Sequence, residues 1–171
     1  MMKQNKPLIR LLLTLTLTSA AGEVSAGTAD ISFTGTLLIA PSCKVTSPQG
    51  ARIEVDFGDR IGVKKIDGVR YRKPLNYKMT CKSSPSSGME LLLTLKGDMA
   101  TFDTTKAAVQ SSVKGLAIRI LQNGSPMVIN QKYKVTPTAM PTLEAVPVKQ
   151  DGVTLKEGPF EATANLIAEY Q

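Results

Sequence analysis

Apolar and polar residues alternate along short stretches separated by turn chemistry, and alternation with period two marks half-buried strands. From Ile31 to Ile39, the residues Ile31, Phe33, Gly35, Leu37 and Ile39 share one face. Arg52 to Phe57 is a second run, with Ile53, Val55 and Phe57 together. Val69 to Cys81 follows an Asp67-Gly68 turn signal and carries Val69, Tyr71, Lys73, Leu75, Tyr77, Met79 and Cys81 on one side. Met89 to Lys96 reads as a buried strand and Gly115 to Leu121 as another. Asn123-Gly124 is a hairpin signal leading into Met127 to Ile129, and Leu143 to Val148 runs up to Asp151-Gly152. Phe160 to Tyr170 is the last strand, and only Ala100 to Ser112 has room for a helical turn. The spacing of runs and turns predicts an all-β sandwich, with no repeat or linker to mark a second folded domain.

Two segments stand out by position. In the last run, Phe160, Ala162, Ala164, Leu166, Ala168 and Tyr170 alternate with Glu161, Thr163, Asn165, Ile167 and Glu169. That predicts one buried and one mostly wet face, with one edge that no later strand of the sequence fills. The run Ile31 to Ile39 is the mirror case, an apolar stripe near the start of the exported chain, where a polar, frayed end is usual. The two strands pair with each other inside one molecule, or each pairs with a strand of another molecule.

Before these runs, Lys3, Lys6 and Arg10 precede the uncharged apolar stretch Leu11 to Ala21, and Val24-Ser25-Ala26 is a small-x-small site. Residues 1–26 therefore read as a secretory signal peptide; the apolar stretch is about half of what a bilayer span requires. Export changes how the cysteines read. Cys43 and Cys81 are the two cysteines of the chain, and an even pair in an oxidising compartment reads as a disulfide, worth about 4 kcal/mol by loop closure. Two redox-active thiols are the alternative, but the adjacent-cysteine motif of such enzymes is missing.

Composition narrows the chemistry. The 171 residues hold 21 Lys plus Arg against 14 Asp plus Glu, a net charge of +7, with no His and no Trp. Without histidine there is no Ser-His-Asp triad, no imidazole base and no histidine metal ligand, and two cysteines alone do not close a structural zinc site. Glu54, Asp56 and Asp59 are the carboxylates a histidine-free hydrolase would use. Glu54 and Asp56 alternate onto a wet face and Asp59 falls in the following turn, so the chain is read as no enzyme, with no metal and no cofactor. Lys64, Lys65, Arg70, Arg72, Lys73 and Lys78 form a basic stretch. It reads as a solvated loop and wet strand face, or as a contact for an acidic partner or anionic cell-surface polymer; an exported chain with few aromatics is not read as binding nucleic acid.

The chain resembles the pilin subunits of the chaperone–usher pathway that build P and type 1 pili. Ile31-Ser32-Phe33-Thr34-Gly35-Thr36-Leu37 is similar to that family's N-terminal extension, with its glycine inside an apolar stripe. Pro41-Ser42-Cys43 and the strand-ending Cys81 match the family's disulfide. Ile53 to Gly58 resembles the stretch between them, and Gly158 with the penultimate Tyr170 matches the terminal pattern. The resemblance implies an incomplete immunoglobulin-like sandwich that lacks its seventh (G) strand and is completed by a donor strand. It divides the chain into the signal peptide 1–26, an N-terminal extension 27–41 and a pilin domain 42–171.

By that resemblance Ile31, Phe33, Gly35, Leu37 and Ile39 are the donor strand, with Gly35 lying where the neighbour's groove floor is high. Phe160, Ala162, Ala164, Leu166 and Ala168 line this subunit's own acceptor groove, and Gly158, Tyr170 and Gln171 contact the chaperone or usher. The implied partners are a periplasmic pilus chaperone, an outer-membrane usher and other pilin subunits. The implied destination is a cell-surface fimbrium reached through the periplasm, in support of adhesion. The basic charge and the short lead into the stripe favour a minor or adaptor subunit over the shaft pilin. The alternative function is a single-domain adhesin, a lectin-type subunit at the fimbrial tip.

Overall fold

The computed structural model describes residues 29–171. The expected signal peptide, residues 1–26, lies outside the described residues. The chain divides into an N-terminal unit ending at Thr36 and a unit from Leu37 to Gln171; the sandwich belongs to the second.

Ten strands are assigned among the described residues: β1 (Cys43–Thr46), β2 (Lys73–Pro74), β3 (Lys78–Cys81), β4 (Leu91–Gly97), β5 (Ala108–Gln110), β6 (Leu116–Gln122), β7 (Ser125–Pro126), β8 (Lys132–Val135), β9 (Leu143–Lys149) and β10 (Ala164–Tyr170). They form one sheet in the order β10-β4-β8, a second in the order β2-β9-β6-β5 with β7 paired to β6, and the two-stranded ladder β1-β3. Every pairing is antiparallel. Inward-facing Leu91, Leu93 and Leu95 of β4 pack with Ile118 and Ile120 of β6 and Leu143 and Ala145 of β9, joined by Met127, Ile129, Val135, Ala168 and Tyr170. Two sheets closing over one apolar layer make the predicted sandwich. Cys43 and Cys81 are disulfide-bonded across the paired ends of β1 and β3, 38 residues apart in sequence.

The hairpin signal holds. Asn123 and Gly124 have φ of 49° and 80°, the double left-handed turn that a two-residue hairpin needs. The partner strand is Ser125–Pro126 rather than Met127 to Ile129. The amides of Met127 and Ile129 instead donate to the carbonyls of Ile120 and Lys106.

Other expected elements are corrected. The run Val69 to Cys81 is two strands in different sheets. The Asp67 carboxylate accepts the amides of Val69 and Arg70 at 2.9 and 2.8 Å and ties the Arg70 guanidinium at 2.8 Å, and Tyr71 has φ of 63°. The turn therefore extends past Val69, and the chain leaves β2 at Pro74 to cross to the other ladder. Ala100 to Ser112 holds turns followed by β5, not a helical turn; the only helix among the described residues is a single 3-10 turn at Val63–Lys65. Asp103 organises the turns. Its side chain, 1% exposed, meets Arg119 Nη2 at 2.6 Å, Thr105 Oγ1 at 2.6 Å and the Ala107 amide at 3.1 Å. Burial opposes its ionisation, but these donors, Arg119 foremost, hold its carboxyl below the ordinary aspartate value.

Candidate functional site

β10 has β4 along one side, from Ala164↔Gly97 to Tyr170↔Leu91. On its other side there is one bridge among the described residues, Ser42↔Glu169. The remainder of that edge opens on a groove of about 1450 Å³. Leu95, Ile118, Ile120 and Ala145 from the two sheets contribute to its floor, and the segments 51–58 and 158–166 run along it. The sandwich is thus incomplete along one edge.

Arg52 to Phe57 is not a strand, contrary to its alternating pattern. The burial follows the pattern nonetheless: Ile53, Val55 and Phe57 are half-buried, while Arg52, Glu54 and Asp56 are exposed. What is missing is a neighbour, since no main-chain hydrogen bond from Arg52 to Phe57 is found among the described residues. The other rim is paired only in part. β10 begins at Ala164 rather than Phe160 because β4 stops at Gly97, opposite Ala164. Upstream of it, Glu161 exchanges bonds with Ser112, its carbonyl accepting the Ser112 amide at 2.8 Å and its amide donating to Ser112 Oγ at 3.0 Å.

Of the residues assigned to the acceptor groove, Phe160, Ala162, Ala164 and Leu166 line it. Ala168 does not; it is buried in the sandwich core. The expected buried face is graded. Ala162 and Ala164 are exposed, Phe160 and Leu166 half-buried, Ala168 and Tyr170 buried. Exposure of the first two follows from the groove having no lid. Residues that the sequence did not single out complete the site: Leu95, Val109, Leu116, Ile118, Ile120 and Leu155 reach it from β4, β5, β6 and the loop before Gly158. Their membership follows from long-range pairing, which local pattern does not encode. Phe57 and Phe160, one from each flanking segment, approach to a ring-centroid distance of 6.0 Å.

The stripe assigned to donation is not in a strand. Its apolar side chains are bare: Ile31 is 75% exposed, Phe33 90%, Leu37 100% and Ile39 93%. Large apolar side chains exposed in a row are costly in water and mark an interaction surface. At the other end, Tyr170 is buried, Gln171 is exposed, and the main chain of Gln171 exchanges two hydrogen bonds with Glu90. Gly158 has φ of 141°. The basic residues Lys64, Lys65, Arg70, Arg72, Lys73 and Lys78 are exposed, Arg70 and Arg72 being paired with Asp67 and Glu144. Lys64 and Lys65 stand at the groove. Glu54, Asp56 and Asp59 are also exposed at the groove. Asp56 accepts the Gly58 amide at 2.7 Å and Asp59 lies 3.9 Å from Arg60.

Comparison with known proteins agrees with this architecture. The crystal structure of the P pilus rod subunit PapA matches with a TM-score of 0.59 at 19% identity, covering 84% of this chain and 100% of that one. The P pilus adaptor subunit PapF, from a study of the structural determinants of its polymerization reactivity, matches with a TM-score of 0.52 at 21% identity, covering 78% and 98%. These likenesses carry the fold, an incomplete immunoglobulin-like pilin sandwich. In sequence, the fimbrial-like protein YfcQ of Escherichia coli (strain K12) is 35% identical over 162 residues, 92% of this chain and 97% of that protein. The fimbrial-like protein YfcR of the same strain is 29% identical over 135 residues, 77% and 74% of the respective chains. The model of the family described as fimbrial protein matches residues 31–171, and with that match the chain belongs to the fimbrial protein family of pilins.

Proposed function

We propose that this chain is a structural subunit of a chaperone–usher fimbria that polymerises by donor-strand exchange. Its segment 31–39 enters the groove of a neighbouring subunit, and its own groove receives a neighbour's segment. One observation supports this above the others: a single chain carries both an open groove with an apolar floor, one rim of which, Arg52 to Phe57, has no main-chain partner among the described residues, and an exposed, alternating apolar segment. A strand added to an exposed edge supplies main-chain hydrogen bonds for affinity, while alternate side chains fill pockets for specificity. Nine residues of extended chain span roughly 27 Å, comparable to the rim from 51 to 58.

In this reading residues 1–26 direct export, residues 27–41 are the donor extension and residues 42–171 are the acceptor domain. A periplasmic chaperone holds the groove until the outer-membrane usher hands the subunit to its neighbour. Gln171 is the exposed terminal contact, with the turn at Gly158 at the groove's far end. The polymer is displayed on the cell surface in support of adhesion, and the subunit acts by strand exchange without catalysis.

The test is a chain carrying a second copy of residues 29–40, joined after Gln171 by a flexible linker long enough to return along β10. The expected product is a monomer. Burying Ile31, Phe33, Leu37 and Ile39 contributes about 1.5–3 kcal/mol each before ordering costs, so the melting temperature rises by more than about 10 °C. An unextended chain that is equally stable as a monomer would overturn the missing-strand reading. Co-expression with pilus chaperones, followed by affinity purification from periplasm, tests the chaperone partner.

A further inference from the structure

Lysines that lie far apart in sequence come together on the outer side of one sheet. Leu91, Leu93 and Leu95 of β4 face the core, so Leu92, Thr94 and Lys96 face outwards. The register sets Lys134 opposite Leu92 and Lys132 opposite Thr94, on that same outer side. Beyond β10, the Ser42↔Glu169 bridge places β1 beside the sheet. Cys43, Val45, Met79 and Cys81 of the β1–β3 ladder pack on the core, so Lys44 and Lys78 face outwards with Thr46 and Thr80. Lys82, one residue past β3, continues the alternation, and its amide donates to the Ser42 carbonyl at 3.1 Å. Lys44, Lys78, Lys82, Lys96, Lys132 and Lys134 are all exposed, and none of them lines the groove.

These lysines fall into two groups. On β4 and β8, Lys96, Lys132 and Lys134 share the face with Glu90 and Glu169. Lys132 Nζ lies 3.3 Å from the Glu169 carboxylate, and Lys134 is paired with Glu90. On the ladder, Lys44, Lys78 and Lys82 make no ion pair among the described residues. Lys44 stands opposite Thr80, which makes Lys78 and Lys82 its two diagonal neighbours, each roughly 7–8 Å away. Like charges so close repel one another, a cost to the fold that an anion laid across them would remove. The cations of the other sheet are treated differently: Arg70, Arg72 and Arg119 are paired with Asp67, Glu144 and Asp103. Of the basic stretch from Lys64 to Lys78, Lys78 alone belongs to the lysine face; Lys64 and Lys65 stand at the groove and Lys73 is in β2.

We propose that Lys44, Lys78 and Lys82 form an anion-binding site for a linear sulfated polysaccharide of a cell surface, and that Lys96 receives the same polymer farther along. The axes of β1 and β4 stand two strand spacings apart, roughly 9.5 Å, so one chain crossing β10 reaches both groups. The ligand class follows from the residues. Lysine is a point charge without the planar fork by which arginine selects a single carboxylate or phosphate, so it suits closely spaced anions held in no fixed geometry. Three ammonium groups around one spot call for more than one charge per sugar repeat, which sulfation supplies. The outward positions between the two groups are Thr46, Thr94, Asn165 and Ile167; none is an aromatic on which a base could stack. Leu92 and Ile167 are half-buried, which leaves no large apolar side chain to enter a bilayer. The face is separate from the groove, so the inference stands apart from the donor-strand reading.

The test titrates the full chain, with its disulfide intact, against labelled heparin as the sulfated polysaccharide. Binding is expected at about 0.1 M salt and should weaken as salt rises. The triple variant Lys44→Gln/Lys78→Gln/Lys82→Gln should bind at least about tenfold more weakly, the combined effect of three exposed ion pairs. Lys64→Gln/Lys65→Gln/Lys73→Gln removes the same charge elsewhere and should stay within about threefold of the unaltered chain. All these side chains are exposed, so both variants should melt with the unaltered chain. If the first variant does not fold, Lys44→Gln alone, at the centre of the group, carries the test with an expected loss of about threefold. Equal weakening in the two triple variants means that net charge attracts the polymer, and the site is overturned. Absence of binding by the unaltered chain overturns it as well. Tighter binding to polyglutamate, duplex DNA or anionic lipid vesicles at matched charge overturns the polysaccharide assignment, and so does desulfated heparin that binds as tightly as the sulfated polymer.

Discussion

Phe57 and Phe160 touch across the groove, yet the main chains that carry them share no hydrogen bond among the described residues. Side chains alone join the rims, so the backbone of the segment before Phe57 is paired with nothing. A strand that fills the groove should change this segment more than any other. In the chain extended with a second copy of residues 29–40, alternate amides between Arg52 and Phe57 should exchange hydrogen at least tenfold more slowly. Only alternate amides are affected, because successive N–H groups of a strand point to opposite sides. Mass-resolved hydrogen exchange with fragmentation reads this; uniform protection, or none, would count against strand addition at this rim.

Removing the apolar stripe 31–39 should leave the domain's stability almost unchanged. Ile31, Phe33, Leu37 and Ile39 are exposed, and a Cβ added at Gly35 would meet nothing within 4 Å. Deletion of residues 29–39, or Gly35→Leu, is expected to shift the unfolding free energy by less than about 0.5 kcal/mol. A clear loss on deletion, measured by urea denaturation, would mean that the stripe folds back into its own groove.

The disulfide is the cross-link of a short ladder. β1 pairs with β3 over four residues, and Cys43 and Cys81 close its end. Cys43→Ser should cost about 4 kcal/mol, a large share of a small domain's stability. Thiol mapping of exported protein should find neither cysteine free, and the variant's denaturation midpoint should fall accordingly.

Asp103 should show itself in acid. Its carboxyl is held below the ordinary value by Arg119, Thr105 and the Ala107 amide, against the opposing effect of burial. A depressed folded-state pKa gives stability that is present above the unfolded value and lost as pH falls through the folded one. The unaltered chain should therefore lose stability below about pH 4 more steeply than Asp103→Asn does. At neutral pH, Asp103→Ala should cost about 3 kcal/mol, because it strips Arg119 of its partner beside a buried turn.

Tyr77 behaves oppositely. Burial pushes its hydroxyl up to about 12, and the hydroxyl donates to the Pro141 carbonyl at 2.7 Å. Because the folded pKa is the higher one, its contribution is complete below about pH 10 and declines as pH rises from 10 to 12. Tyr77→Phe should cost about 1 kcal/mol at neutral pH and flatten that alkaline decline, read as stability against pH.

Much of the architecture was legible because alternation reports burial whether or not a strand forms. Ile53, Val55 and Phe57 turn inward as their spacing requires, yet no strand exists there, because a strand needs a neighbour and the neighbour is absent. The last strand is shortened to Ala164–Tyr170 because β4 stops opposite Ala164, and the open groove leaves Ala162 and Ala164 exposed. Lys132–Val135 was not legible: four residues with two lysines carry little apolar signal. Its pairing with β4 sets its place, and Lys132 and Lys134 are paired with Glu169 and Glu90. The split between β2 and β3 was hidden by an unbroken alternation from Val69 to Cys81, whereas the Asp67 turn and Pro74 decide it. Of the groove, the C-terminal wall was readable in sequence; the floor, drawn from β4, β5 and β6, was not.

The position of the disulfide has a mechanical consequence. The stripe 31–39 joins the sandwich just ahead of Ser42 and Cys43, the first residues of the domain with strand partners. In a filament held together by that stripe, tension along the filament enters each domain at this junction. β1 alone is four residues long and would peel from β3 one hydrogen bond at a time. The Cys43–Cys81 bond passes the pull to β3 directly, and the Ser42↔Glu169 bridge lies alongside β10. In such a filament force would arrive at a covalent anchor, and the weak point would lie at the inserted strand rather than in the body of the subunit.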